Sequence, residues 1–190
     1  MPDATLAQRK RDLRRLALDR RRSAVSKSAN EAATKHLIAS LEAAPSNLAI
    51  SGYMPIGTEI DPVPALTAIA ETGRTICLPV IQGRGQALLF RHWTPASPMI
   101  EGDFGALIPR GGDYISPGIV VTPLLAFDAT GARMGYGGGF YDRTLQSLQR
   151  NPDLSAIGFA FAAQEIELVP TEPTDQRLDA IVTENGIRHF

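Results

Sequence analysis

The sequence predicts an α/β fold: three layers, α/β/α, with a largely parallel or mixed central sheet and an N-terminal helical pair. Three observations carry that expectation. The first stretch has helical periodicity, a series of short apolar segments follows from about residue 47, and a helix-like segment lies between the first two of them. Segments that read as nearly continuous apolar runs, with little strict alternation, belong to sheets covered on both faces.

In "LAQRKRDLRRLALDRRRS", Leu6, Leu13, Leu16 and Ala17 fall near one helical face while Lys10, Arg14 and Arg21 recur on another, which reads as an amphipathic helix. A second helix is expected from about Ser28 to Glu42, with Ala29, Ala33, Leu37 and Leu41 repeating every four residues and Pro45 stopping it. The pair, over about 4–43, is expected to pack on an α/β core over about 47–190, all in a single domain. The strand candidates are "LAISGYM", "TICLPVI", "ALLFRHW", "GIVVTPLLAF", "AIGFAFA" and "DAIVTE". Between the first two, "PVPALTAIAETG" has prolines at its start and Gly73 at its end, the asymmetry of a crossover helix in a βαβ unit.

With 44% hydrophobic and 21% charged residues the composition is that of an ordinary globular protein. At 190 residues, folding hides roughly 70% of the surface of the unfolded chain, enough for a core without staples. Cys77 is the only cysteine, so no internal disulfide forms, and its apolar setting suggests a buried thiol. The charged first residues lack the apolar stretch of a secretory signal, and the longest apolar run is too short to span a bilayer. A cytoplasmic monomer with no membrane partner is expected. Charge is uneven: residues 9 to 22 carry eight Lys or Arg against Asp12 and Asp19. A solvated helix face is the plain reading, with nucleic acid, a membrane surface or a phosphorylated small molecule as alternatives. Nucleic acid is disfavoured, because only 6% of residues are aromatic and none interleaves with that basic stretch.

"RMGYGGGFYD" lies between a strand pattern and "FYDRTLQSLQR", where Phe140, Thr144, Leu145 and Leu148 stand at helical intervals. The first amides of a helix lack backbone partners and carry the positive end of its dipole, so an anion is stabilised there. Glycines let the backbone close around phosphate oxygens, and Arg133 adds a fork of donors. Neither standard phosphate loop fits: the Gly-Lys-Ser/Thr ending is absent, and Phe140 stands where a dinucleotide fingerprint needs a small residue. On these residues alone, an anion site and a tight turn stay equally open. Asp142 favours the anion site, since a carboxylate beside phosphate is repulsive unless a hard cation such as magnesium lies between them.

"FDATGARMGYGGGFYDRTL" resembles the signature of the 5-formyltetrahydrofolate cyclo-ligase (5,10-methenyltetrahydrofolate synthetase) family. The resemblance extends along most of the chain, through "KRDLR", "YMPIGTEID", "LPVIQGRGQALLFRHW" and "AFAAQEIELVPTEPTDQRLDAIVTE". It implies an enzyme that uses ATP and magnesium to convert 5-formyltetrahydrofolate into 5,10-methenyltetrahydrofolate, releasing ADP and phosphate through a phosphorylated formyl intermediate. No side-chain nucleophile is then needed, in keeping with the lack of a Ser-His-Asp or Cys-His arrangement. By the same resemblance, Lys10, Arg14, Arg133, Gly135, Gly137, Gly138, Gly139 and Tyr141 bind ATP. Asp142 and Asp175 hold magnesium. Met54, Glu59, Tyr136, Gly137, Gly138, Gly139 and Phe140 contact the folate, and Arg133, Tyr136 and Phe140 border the reacting formyl group. Many members have Tyr-Tyr-Asp where this chain has Phe140-Tyr141-Asp142, so one hydroxyl is missing, with lower turnover as its expected consequence. Arg84 and Arg91 have no assignment.

The competing reading is a non-catalytic folate or nucleotide carrier on the same scaffold. Loss of Arg133 or Asp142 would favour it, and both are present. Trp93 is expected in core or rim packing, with stacking on the folate as the alternative. His36, His92 and His189 lack metal-ligand spacing and are read as structural or surface residues, and Asp61 and Asp128 as local caps.

Overall fold

The computed structural model describes residues 5–190. Two helices come first, α1 (Leu6–Ala24) and α2 (Lys27–Glu42), followed by β1 (Ile50–Ser51), α3 (Val63–Glu71), β2 (Ile76–Val80) and β3 (Leu89–Trp93). A small hairpin, β4 (Met99–Glu101) with β5 (Leu107–Pro109), precedes β6 (Ile119–Thr122). Next come the hairpin of β7 (Ala126–Phe127) and β8 (Arg133–Met134), α4 (Phe140–Leu148), β9 (Ser155–Phe159), β10 (Ala180–Thr183) and β11 (Gly186–His189). The main sheet has seven strands in the order β11-β10-β9-β6-β1-β2-β3. Its five inner strands are parallel, and the edge strands β3 and β11 are antiparallel to their neighbours.

Side-chain alternation along the inner strands explains the three layers. Ile119 and Val121 of β6, Ile157 and Phe159 of β9, and Ile76 and Leu78 of β2 all join α2 and α3 in one core. Val120, Ala156 and Ile181 point the other way, to Leu145 of α4, and Cys77 lies on that side beside Leu88 and Phe90. Both faces are therefore apolar, as the unbroken runs predicted. The Cys77 thiol is fully buried, and burial pushes its pKa up to about 12.

The predicted βαβ crossover is β1-α3-β2, with β1 and β2 parallel. Asp61 Oδ1 accepts from Val63 N at 2.9 Å and so serves the start of α3. Four features differ from the sequence reading. "GIVVTPLLAF" is not one strand: Pro123 has no N–H to give a ladder, and β6 ends before it while β7 leaves the main sheet. The sequence reading did not include β4, β5 and β8, which carry too few residues to show a pattern, or β11, an edge strand that is mostly exposed and so lacks an apolar run. The N-terminal helices separate, α2 packing on the sheet with α3 while α1 lies with Ala17 against Ala126, Ala132 and Met134 of the second hairpin.

The fourth difference concerns the face that α1 buries. Leu6 and Leu16 are exposed, while Lys10, Ala17 and Arg21 are buried, Arg21 to 3% exposure. The charged stripe faces inward because partners wait for it: carboxylates for Lys10, hydroxyls and a carboxylate for Arg21.

Candidate active site

A cleft of about 1090 Å³ opens beyond the carboxyl ends of the parallel strands. Tyr53 and Met54 reach it just after β1, Ile81 just after β2 and Pro123 just after β6, the usual position for ligands in such sheets. The glycine loop forms a wall between β8 and α4. Gly137 has φ 96° and Gly139 has φ 64°, a left-handed cap that only glycine takes at no cost. No side chain caps α4, so its first amides remain open to an anion.

Two arginines hold the loop by its carbonyls. Arg14 Nε donates to Gly135 O at 3.0 Å from α1, and Arg143 Nη2 donates to Gly138 O at 2.6 Å from α4. The guanidinium of Arg14 lies so close to Gly137 that a Cβ there would stand 3.2 Å from its Cζ. Arg133 is buried, donates from Nη2 to Asp142 Oδ1 at 2.9 Å, and also donates to the Gln176 carbonyl. The Gln176 amide donates to the same Asp142 oxygen at 3.0 Å. Lys10 Nζ sits 2.8 Å from both Glu172 Oε2 and Asp175 Oδ2. Burial pulls the Lys10 pKa down, but the bonds to Asp175 and Glu172 outweigh it and the net shift is upward.

A second cluster occupies the Met54 region. Glu59 Oε1 accepts from the Tyr136 hydroxyl at 2.8 Å, and Oε2 accepts from Ile56 N at 2.8 Å. Arg21 Nη1 donates to the same Tyr136 oxygen at 2.7 Å and lies 3.8 Å from Glu59 Oε1. Burial raises the Glu59 pKa, opposed by the bonds from Ile56 and Tyr136 and by the charge of Arg21. Burial also pushes the Tyr136 hydroxyl up to about 12, so it remains a donor at neutral pH. Phe140 closes this side with Phe104, their rings edge to face at 6.2 Å.

Every residue that the sequence singled out for ATP, folate or metal lines this one cleft: Lys10, Arg14, Met54, Glu59, Arg133, the glycines, Tyr136, Phe140, Tyr141, Asp142 and Asp175. A model of the 5-formyltetrahydrofolate cyclo-ligase family matches residues 6–184. The chain belongs to that family. It is 34% identical over 154 residues to the 5-formyltetrahydrofolate cyclo-ligase of Haemophilus influenzae, covering 77% of this chain and 81% of that one. The Escherichia coli K12 cyclo-ligase is 31% identical over 144 residues, covering 73% and 79%. Among solved structures, the 5,10-methenyltetrahydrofolate synthetase of Aquifex aeolicus superposes with a TM-score of 0.76 at 27% identity, over 95% of this chain and 92% of that one. The synthetase of Mycoplasma pneumoniae, at 24% identity, shares the fold with a TM-score of 0.72 over 92% and 98%.

Within this cyclo-ligase fold Trp93 takes the packing place expected of it, and several residues left without a role find one. Trp93 does not reach the cleft: it is 4% exposed and packs in the core with α2 and α3, so it has no face to offer a ligand. Arg91 is structural, donating to Pro109 O at 2.8 Å and to the Tyr114 hydroxyl at 2.7 Å. His36 Nδ1 meets Thr183 O at 2.9 Å, tying α2 to β10, and Arg84 is exposed. Sequence reasoning missed the cleft residues Phe104, Arg143 and Glu172, and gave Arg21 no role. Only Arg21 left a trace, as the third member of the Lys10, Arg14, Arg21 stripe.

Proposed function

We propose that this chain converts 5-formyltetrahydrofolate into 5,10-methenyltetrahydrofolate at the expense of ATP, with both substrates meeting in this cleft. The observation that carries the reading is the pairing of two of the three phosphate-facing cations with carboxylates in the cleft: Arg133 with Asp142, and Lys10 with Asp175. Such a site neutralises its own charge when empty and offers both signs at once to a metal-bound triphosphate.

In this reading Lys10, Arg14 and Arg133 bind phosphate oxygens, and the open amides at the start of α4 add the helix dipole. Asp142 and Asp175 suit magnesium, which is commonly held by one or two carboxylates with phosphate oxygens completing its shell. Their hydrogen bonds from described residues converge on a single oxygen each, Oδ1 of Asp142 and Oδ2 of Asp175, leaving the second oxygen for a ligand. Magnesium would screen the charge of the transferring phosphoryl group. Glu59 accepts the amine and ring N–H edge of the pteridine, beside Met54.

The formyl oxygen takes the γ-phosphoryl group as ADP departs. The neighbouring amine then attacks the activated carbon, loses its proton, and the carbon–oxygen bond breaks to release phosphate. What this chain's residues do is align two substrates and exclude water, with Tyr136 and Phe140 walling the reacting carbon. The test is the near-ultraviolet absorbance of the methenyl product when protein meets 5-formyltetrahydrofolate, ATP and magnesium, with each omitted in turn. A rise only with all three supports the reading. A flat trace with both substrates bound leaves the carrier.

A further inference from the structure

Arg21 is the most buried cation among the described residues, at 3% exposure, yet it contributes no atom to the lining of the cleft. Its Nε donates to Thr58 Oγ1 at 3.1 Å, its Nη1 donates to the Tyr136 hydroxyl at 2.7 Å, and its guanidinium lies 5.6 Å from the Tyr136 ring centre. Tyr136 in turn donates to Glu59. Thr58 and Glu59 belong to the segment after β1 and Tyr136 to the glycine loop, so one side chain of α1 joins two segments that share no element.

We propose that Arg21 is a positioning residue for folate recognition, holding Glu59 and Tyr136 in register from behind without touching the substrate. This rests on the reading that the folate's pteridine edge meets Glu59. The physical need is plain: the Glu59 side chain is 4% exposed, and a buried carboxylate without a cation turns neutral or turns away. A neutral carboxyl both accepts and donates, and matches an edge of N–H donors poorly. The groups acting on Glu59 are the Ile56 amide, Tyr136 from the glycine loop and Arg21 from α1, while Tyr53 after β1 and Tyr141 from α4 feel the charge of Glu59 in turn. Burial raises the pKa of all three tyrosines, so at neutral pH Arg21 supplies the compensating charge.

Helix geometry adds a second consequence. Lys10, Arg14 and Arg21 share one face of α1, with Lys10 and Arg21 eleven residues and therefore roughly 16 Å apart. The same rigid rod carries phosphate cations at one end and the support of Glu59 at the other. Arg21 affects one substrate only, because its partners lie at one end.

The test compares Arg21→Met and Arg21→Lys with wild type in the methenyl-forming assay between pH 6 and 8.5. Arg21→Met is expected to raise the KM for 5-formyltetrahydrofolate about tenfold or more, with the loss growing toward low pH because removing the Arg21 charge raises the Glu59 pKa further, and with the KM for ATP within about twofold. Arg21→Lys restores part of the loss, since it keeps the charge and not the fork. In a Glu59→Gln background, Arg21→Met adds little, which a general loosening of the fold would not produce. Equal rises in both KM values, a folate KM independent of pH, or full additivity with Glu59→Gln would each overturn the proposal. A wild-type protein that makes no methenyl product would instead sink the reading on which it rests; direct folate binding by the same variants then decides Arg21 by itself.

Discussion

Arg133 and Asp142 face each other across the glycine loop with Nη2 and Oδ1 2.9 Å apart, so the strand and the helix that flank the loop are joined by an ion pair. Its burial is unequal, 5% exposure for Arg133 and 28% for Asp142. The arginine is fixed within the protein while the carboxylate looks out into the cleft.

Replacing either partner should therefore cost catalysis first. Arg133→Ala and Asp142→Ala are each expected to slow methenyl formation about a hundredfold or more, and the double variant should be little worse than either single one, as for residues that act as a unit. Magnesium titrations of Asp142→Asn should need more metal for half-maximal rate. An Arg133→Ala enzyme within tenfold of wild type would remove that residue from the proposed machinery.

Gly137 and Gly135 make a matched pair. At Gly137 an added methyl meets the Arg14 guanidinium at 3.2 Å and must adopt φ 96°, whereas at Gly135 it meets nothing within 4 Å. Gly137→Ala should destabilise by roughly 1–2 kcal/mol and raise the KM for ATP by displacing Arg14. Gly135→Ala should stay within about 0.5 kcal/mol of wild type. Urea unfolding and ATP kinetics of the two variants check this, and equal behaviour would contradict it.

Trp93 separates packing from recognition. Trp93→Ala should lose about 3–5 kcal/mol of stability, because a buried indole leaves a large cavity. Trp93→Phe should be milder and leave the KM for 5-formyltetrahydrofolate unchanged. A folate KM that climbs in Trp93→Phe while the melting curve holds would restore the stacking role.

Asp128 contributes to the pH dependence of stability. Burial alone would raise its pKa, but Oδ1 accepts from Thr130 N, Thr130 Oγ1 and Ala132 N while Oδ2 accepts from Val169 N, and these bonds bring it below the usual carboxylate range. With the folded value depressed, the stabilisation is complete above the unfolded pKa of about 4 and disappears as pH falls through the lower folded value. Asp128→Asn turns an N–H₂ toward one set of these donors and should cost about 2–3 kcal/mol at pH 7. Urea midpoints from pH 2 to 8 should show the gap between variant and wild type closing on the acid side; a constant gap would contradict the assignment.

The layered architecture, the βαβ unit, the buried thiol, the strand-loop-helix context of the glycines and, through motif order, the family are all legible in the chain alone. Apart from the motif order, these are local matters: a period of 2 or 3.6, a proline that cannot pair, a glycine run before a helical pattern, each visible within about fifteen residues. Which side of α1 turns inward is settled by the fold instead. Hydrophobicity favours Leu6 and Leu16, yet the helix buries Lys10 and Arg21, because the partners that make their burial tolerable lie 162 and 165 residues away for Lys10 and 37 and 115 residues away for Arg21. The spacing of Lys10, Arg14 and Arg21 marks a charged stripe but not whether water or protein faces it, because the pairing partners are remote in sequence. Hence Lys10 and Arg14 were legible only through a motif, and Arg21, which belongs to none, became legible only once the fold brought Thr58, Glu59 and Tyr136 around it.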